Sequence, residues 1–443
     1  MLLVFAFLLS QVGCSCGATG SAGPSESGAK ECVGANCPTS WAKRAGETGY
    51  DQGLDVALDG MGGAFLTGAY KGIFVARLDK DGAFQWSRHT GEIGQDQGNA
   101  IAADAQGNAY VVGSFSKRAN FDGTTLLSKG LGDAFVARLN PEGRFLWAKR
   151  FGGKEHDEGV DIAVDATGAI YIAGTFTGTA QFGRHTLTSA GGTDLFVAKL
   201  DKNGAFLWAK RGGGTEYDSG AGIGVDGEGN AYVIGHFTDK ANFGHTALTT
   251  SRSTELFLVR LSKDGDFLWA IRPGSDLGRD IAVDKAGNTY ITGYFSKRIY
   301  FGSIYMRSSG GGDIYVAKLN KDGKFQWVTK AGSRSSEEGT GIGVDASGNI
   351  YVTGIFRNSV KFGNSTLTSA GESDLFVARL SKDGDFVWAR RAGGALSDQG
   401  NSIAVDGKGS YIVTGSFSGK ARFGSQALSS TEKSDVFIAK NRP

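Results

Sequence analysis

Beyond Cys37 the chain contains no cysteine, and over its full length it has only 5 Pro, 3 Met and 5 His. A body without thiols cannot hold disulfides, thiolate-bound metals or redox pairs. The few histidines, His89, His156, His185, His236 and His245, fall at unrelated places and make no spaced ligand pair. No G-x-S-x-G, H-E-x-x-H or phosphate loop occurs. Neither sign of charge dominates, with 47 basic against 45 acidic residues, so the basic excess of a nucleic-acid binder is missing. Helical periodicity is missing too. What the chain has in abundance is glycine, 71 residues, which calls for many tight turns between short strands.

The first 40 residues stand apart. Residues 2–9 (LLVFAFLL) form an apolar run too short to span a bilayer, followed by small residues, which is the pattern of an export signal. The run leads into Gln11-Val12-Gly13-Cys14, which resembles the lipobox of bacterial lipoproteins. That resemblance implies a signal over residues 1–13 and a lipid on Cys14. The alternative is an ordinary secretory signal cut near Gly17 or Ala18. Residues 14–39, rich in Gly, Ser, Ala and Thr, cannot bury enough surface to order themselves and are expected to be a flexible tether. Cys32 and Cys37 either close a small local disulfide in an oxidising compartment or stay as linker thiols.

From residue 40 to 443 the chain is periodic. The seven tryptophans, Trp41, Trp86, Trp147, Trp208, Trp269, Trp327 and Trp388, mark one register, mostly 61 residues apart, with a first interval of 45 and a fifth of 58. Within a unit, Ile162-Ala163-Val164 ends at Asp165, which turns the chain together with Gly168. Tyr171 to Phe176 is rich in strand formers, and Phe196-Val197-Ala198-Lys199-Leu200 alternates. Asp201-Lys202-Asn203-Gly204 then turns into Phe206-Leu207-Trp208. Four antiparallel strands repeated radially are the blades of a propeller. The inner-strand signature recurs seven times, ending at Asp59, Asp104, Asp165, Asp226, Asp284, Asp345 and Asp406. The last unit lacks its tryptophan strand, while Ser40-Trp41-Ala42-Lys43-Arg44 stands orphaned ahead of the first. An all-β, seven-bladed ring closed by its N-terminal strand follows.

These motifs, G-x-D-I-A-V-D-x-x-G-N, the G-x-F ending of the second strand and F-V-A-K-L-D-x-x-G-x-x-x-W, resemble the SBBP β-propeller repeat of bacterial secreted and surface proteins. The resemblance covers residues 41 to 443. It implies an extracytoplasmic location and carries no activity, ligand or cofactor with it. No cofactor is expected.

One constellation invites chemistry. Eight residues before each signature Asp stands Asp51, Asp96, Asp157, Asp218, Asp276, Glu337 or Asp398. At the start of the inner strands these acids would ring one mouth of the channel, as a cation site or a funnel for a cationic partner. The plainer reading has each acid cap a turn or pair with the basic residue seven positions earlier: Arg44, His89, Arg150, Arg211, Lys330 or Arg391, with Arg272 closer in the fifth unit. The Asp59-to-Asp406 set reads as turn chemistry, and the tryptophans as packing between blades. His156 beside Asp157 and Glu158 is the one cluster with an enzyme's ingredients. A loop containing Phe-Gly (Phe-Asp-Gly in the second unit) follows the second strand in six units, at Phe121, Phe182, Phe243, Phe301, Phe362 and Phe423. The first unit omits it, which leaves either a notch over blade one or a trimmed loop beside the seam.

The expected function is a surface-tethered binding or scaffolding propeller. Its partner would be a protein or glycan, the membrane is reached through a lipid anchor, and no nucleic acid is involved. A monomer is expected. The alternative is an extracytoplasmic hydrolase or lyase with its site at the channel mouth.

Overall fold

A computed structural model describes residues 40–441 except 48, 92–95, 252–253 and 275–276. Cys14, Cys32, Cys37 and Asp276 lie outside the described residues.

The described residues form seven four-stranded antiparallel sheets. The inner strands are Gln52–Leu58, Gln97–Ala103, Glu158–Val164, Ser219–Val225, Leu277–Val283, Glu338–Val344 and Gln399–Val405. Each neighbours the next around the axis, and the last neighbours the first. Each inner strand bulges once after its glycine, as between Gly159 and Asp161. Such a bulge adds twist at the crowded axis.

Closure works as the orphan strand predicts. Trp41–Ala45 pairs antiparallel with Asp435–Asn441, from Trp41 opposite Lys440 to Ala45 opposite Val436. The N-terminal strand is thus the outer strand of blade seven, and no blade is left with an unpaired inner or middle strand.

Packing between blades explains the invariant tryptophans. The indole N–H of Trp41, Trp86, Trp208, Trp269 and Trp327 donates to a turn carbonyl of the following blade at 2.8–3.1 Å. The glycine of that turn lies flat on the ring: a Cβ on Gly82 would come within 3 Å of Trp41. Below this, Tyr110, Tyr171, Tyr232, Tyr290, Tyr351 and Tyr411 are almost wholly buried between sheets. Several reach the turn aspartates, as Tyr110 does to Asp104 at 3.0 Å. Those aspartates cap their turns: Asp165 Oδ1 accepts the N–H groups of Thr167 and Ala169 at 2.8 and 3.0 Å.

The antiparallel order gives the ring two unlike faces. The D-x-x-G turns and tryptophan contacts occupy one. The other carries the loops that enter each inner strand and, in blades two to seven, a hairpin extending the second and third strands. In blade three this extension makes continuous strands, Ile170–Phe182 and His185–Leu200.

Candidate functional site

The sequence-singled acids turn out to be deeply built into the entrance loops. Asp51, Asp96, Asp157, Asp218, Glu337 and Asp398 are all at most 4% exposed. One carboxylate oxygen accepts a backbone N–H four residues earlier: Gly153 to Asp157, Gly214 to Asp218 and Gly394 to Asp398 at 2.6 Å, Ser333 to Glu337 at 2.8 Å, Glu47 to Asp51 at 2.9 Å. The other reaches the end of the second strand, as in Ser116 to Asp96 at 2.8 Å and Ser418 to Asp398 at 3.1 Å. These acids hold a loop against a strand.

Of the two plainer alternatives, capping a turn is what forms, and among the described residues the pairing with the basic residue seven positions earlier does not. The cations pair instead with a second set of acids, at the start of the third strand, which the sequence reading passed over. Arg150 meets Asp133 at 2.9 Å, Arg211 meets Asp194 at 2.6 Å, and Arg272 meets Glu255 at 3.2 Å. Lys330 meets Asp313 at 2.6 Å, Arg391 meets Asp374 at 2.9 Å, and Arg44 meets Asp435 at 2.6 Å across the closure seam. The reason is strand register. Phe135 lies opposite Arg150, so Asp133, two residues along the same edge, is within reach of the guanidinium. The signal was present as the D of D-x-F-V-A-K, which occurs in every unit except the first and, as Glu255, the fourth.

The two acid sets meet at a glycine. A Cβ on Gly213 would lie 2.5 Å from Asp194 Oδ1 and 2.8 Å from Asp218 Oδ2, and one on Gly46 sits likewise between Asp435 and Asp51. Burial, reinforced by the neighbouring carboxylate, pushes Asp157 up to about 7 and Asp218 and Asp398 up to about 6, against the pull of their N–H bonds.

Blade one has neither the hairpin nor this acid. Tyr70 turns directly into the third strand, its N–H donating to Gly72 O at 3.2 Å. Histidine replaces the basic residue, and His89 packs on Tyr70 and Phe74 with ring centroids 5.0 and 5.1 Å apart. Lys71 pairs with Glu47 at 2.6 Å beside them. The place of the missing hairpin is therefore partly filled.

A third set of acids was also unforeseen. On the inner strands the fourth residue is Asp in blades one, three and five (Asp55, Asp161, Asp280) and Ala100, Gly222, Gly341 or Ser402 in the others. Each Asp accepts the N–H of its own successor and one from the next blade: Ile101 to Asp55 at 2.7 Å, Ile223 to Asp161 at 2.6 Å, Ile342 to Asp280 at 2.7 Å. Ser402 of blade seven donates to Asp55 at 2.5 Å. Burial raises all three, Asp280 to about 7, and Asp161 additionally feels the charges of Asp280 and Asp55.

The cluster His156, Asp157 and Glu158 does not converge. Asp157 is committed to its loop, while Glu158 accepts from Asn99 of the preceding blade at 2.7 Å. Among the described residues, no group of three or more His, Cys, Asp and Glu could hold a metal ion.

The SBBP β-propeller repeat model matches residues 85–114, 207–236 and 326–354. Among curated proteins, the chain is similar to an uncharacterized WD repeat-containing protein, L264, of Acanthamoeba polyphaga mimivirus (22% identical over 370 residues, 63% of this chain and 26% of that protein). It is also similar to the regulatory protein FlaEY of Caulobacter vibrioides (26% identical over 287 residues, 58% and 29%). The chain spans less than a third of either relative. Solved structures resembling it include the WD40 propeller domain of Doa1 (11% identical, 90% of this chain and 96% of that, TM-score 0.48). The BamB protein of Moraxella catarrhalis is another (13% identical, 88% and 85%, TM-score 0.40). Three segments of this chain match the SBBP β-propeller repeat, and its seven blades, built in one register, make it a seven-bladed β-propeller.

Proposed function

We propose that the protein is a binding or scaffolding propeller of the cell envelope, tethered to a membrane through Cys14, with its hairpin face turned toward a protein or glycan. One observation carries this reading: the blades are copies of one mould, and their differences gather on the hairpin face. The outward residues there are Thr179 and Gln181 in blade three, Lys240 and Asn242 in blade four, and Lys420 and Arg422 in blade seven. Loops varied on a rigid frame are where recognition usually resides.

The path of the chain supports the orientation. Ser40 donates its N–H to Lys440 O at 2.8 Å, and Trp41 contacts Lys80, both on the turn face. The N-terminal end of the ring thus lies on the face opposite the hairpins and leaves them clear.

Two experiments test this. Cys14→Ala should move the full chain from the membrane fraction to the soluble one. On protein and glycan arrays, a polymer attached at position 186 on the hairpin face should abolish binding, and one at position 202 on the turn face should not. Turnover of an envelope polymer unaffected by either attachment would favour the enzyme alternative and sink the proposal.

A further inference from the structure

The six hairpins are near copies in backbone and differ in four outward positions each. In blade three those positions hold Thr179, Gln181, Thr186 and Thr188. In blade five they hold Arg298, Tyr300, Tyr305 and Arg307, with Arg298 directly opposite Arg307 and Tyr300 opposite Tyr305. Like charges facing each other across an antiparallel pair destabilise it. Neither arginine forms an ion pair among the described residues, nor does the adjacent Lys297, whereas the nearby cations Arg272, Arg279 and Lys330 are all paired with acids. The two tyrosines are 62% and 48% exposed, with ring centroids 5.3 Å apart. Large aromatic faces and unpaired cations on one surface hairpin do nothing for the fold that threonines fail to do in blade three.

Beside the arginines opens a cleft of about 1010 Å³. Its lining includes Lys297, Arg298 and Arg307 with the hydroxyl residues Thr254, Ser296 and Ser308, and no acid among the described residues. We infer that this cleft and the tyrosine pair beside it bind an acidic polysaccharide. Guanidinium forks pair with carboxylate or sulfate in two-pronged fashion. Tyrosine offers a flat apolar face edged by a hydroxyl, which suits the C–H face of a sugar ring. The tyrosine pair follows the arginine pair by two residues, roughly 6–7 Å along the strands, so one chain of sugars can lie over both.

Other occupants fit less well. A nucleic-acid strand wants a continuous basic track with stacking platforms, and the neighbouring hairpin supplies a single cation, Lys240, and no aromatic, beside Asn242, Ala247 and Thr249. A peptide is held by an apolar anchor or a free strand edge, and this lining is mainly cations and hydroxyls.

The inference rests on the hairpin face being a binding face and adds the class of ligand. Its test is titration of the full chain with polygalacturonate, dextran sulfate, neutral dextran, poly-glutamate and oligo-deoxythymidine. One or both of the anionic polysaccharides should bind and dextran should not. Arg298→Thr with Arg307→Thr, and separately Tyr300→Gln with Tyr305→Thr, should weaken that binding roughly tenfold or more without lowering the melting temperature. Lys202→Thr with Lys321→Gln, two exposed cations of the turn face, should leave it unchanged. Absence of binding to both anionic polysaccharides, equal binding by the arginine variant, or tighter binding of the peptide or oligonucleotide would overturn the inference. If it fails while the polymer at position 186 still blocks an array ligand, the binding-face reading survives without it.

Discussion

Asp161 of blade three accepts the backbone N–H of Ile223 in blade four at 2.6 Å while accepting that of Ile162 in its own strand at 2.7 Å. Asp55 and Asp280 repeat this relationship toward blades two and six. Three carboxylates thus staple six of the seven inner strands in pairs, and Ser402 ties the seventh to the first. Asp161→Ala leaves two N–H groups near the axis without an acceptor, at a cost of about 1–3 kcal/mol each. Asp161→Asn keeps the shape but turns a donor toward one of them. Both variants are expected to unfold at lower urea than the parent; an unchanged midpoint for the alanine variant would show that the staple is idle.

Stability should fall as pH rises from 5 to 8. Asp157 and Asp280 are pushed up to about 7, and Asp218 and Asp398 up to about 6, each by burial first. In the unfolded chain they titrate near the ordinary value of about 4. Between these limits the folded ring holds more protons than the unfolded chain, so alkalinity favours unfolding across that window. Below pH 4 the sign reverses. Asp104 and Asp165 are held low because their hydrogen bonds outweigh burial, and protonating them removes that contribution. Melting temperatures taken from pH 3 to pH 8 should peak near pH 4; a profile still rising at pH 8 would contradict the raised values.

Closing the ring depends on Trp41. It is 7% exposed, donates to Lys80 O at 3.0 Å and covers Gly82 of blade one. Trp41→Ala is expected to cost about 3–5 kcal/mol, and deletion of residues 38–46 more. Deleting residues 15–37 serves as the control and should leave the melt unchanged.

Where the hairpin of blade four docks on blade three, the residue beneath it must be small. Gly213 and Asn242 exchange backbone hydrogen bonds at 3.0 and 3.1 Å, and a Cβ on Gly214 would overlap the carbonyl oxygen of Lys240. Glu47 holds the corresponding place before blade one, where no hairpin arrives. Gly214→Ala should therefore cost about 1–3 kcal/mol, while Glu47→Gly should cost little beyond its ion pair with Lys71. Chemical denaturation of the two variants decides between them.

The blade count, the four strands of each blade and the closing strand were all legible in the residue order. Each rests on local chemistry repeated at a fixed interval: Asp and Gly at turns, alternating apolar residues in strands, and one tryptophan strand too many at the start. The ion pairs were misjudged for the opposite reason. Arg150 is nearer in sequence to Asp157 than to Asp133, but hydrogen-bonding of the outer strand to the third strand sets Asp133 beside it. Asp157 is carried away by the bend at Gly152, whose φ of 135° favours glycine. The inner-strand aspartates stood in plain view at a position treated as variable. Their meaning depends on a neighbour some 60 residues away, as with Asp161 and Ile223.

By itself the sequence determined a closed ring of seven like units and the place where its ends join, because turn and strand preferences act over a few residues and repeat. Only the tertiary structure decided which acid meets which cation, that alternate blades are stapled at the axis, and that Arg298, Tyr300, Tyr305 and Arg307 share one outward face beside a cleft. Those relationships arise between strands and between blades, where register and packing bring together residues that no local pattern links.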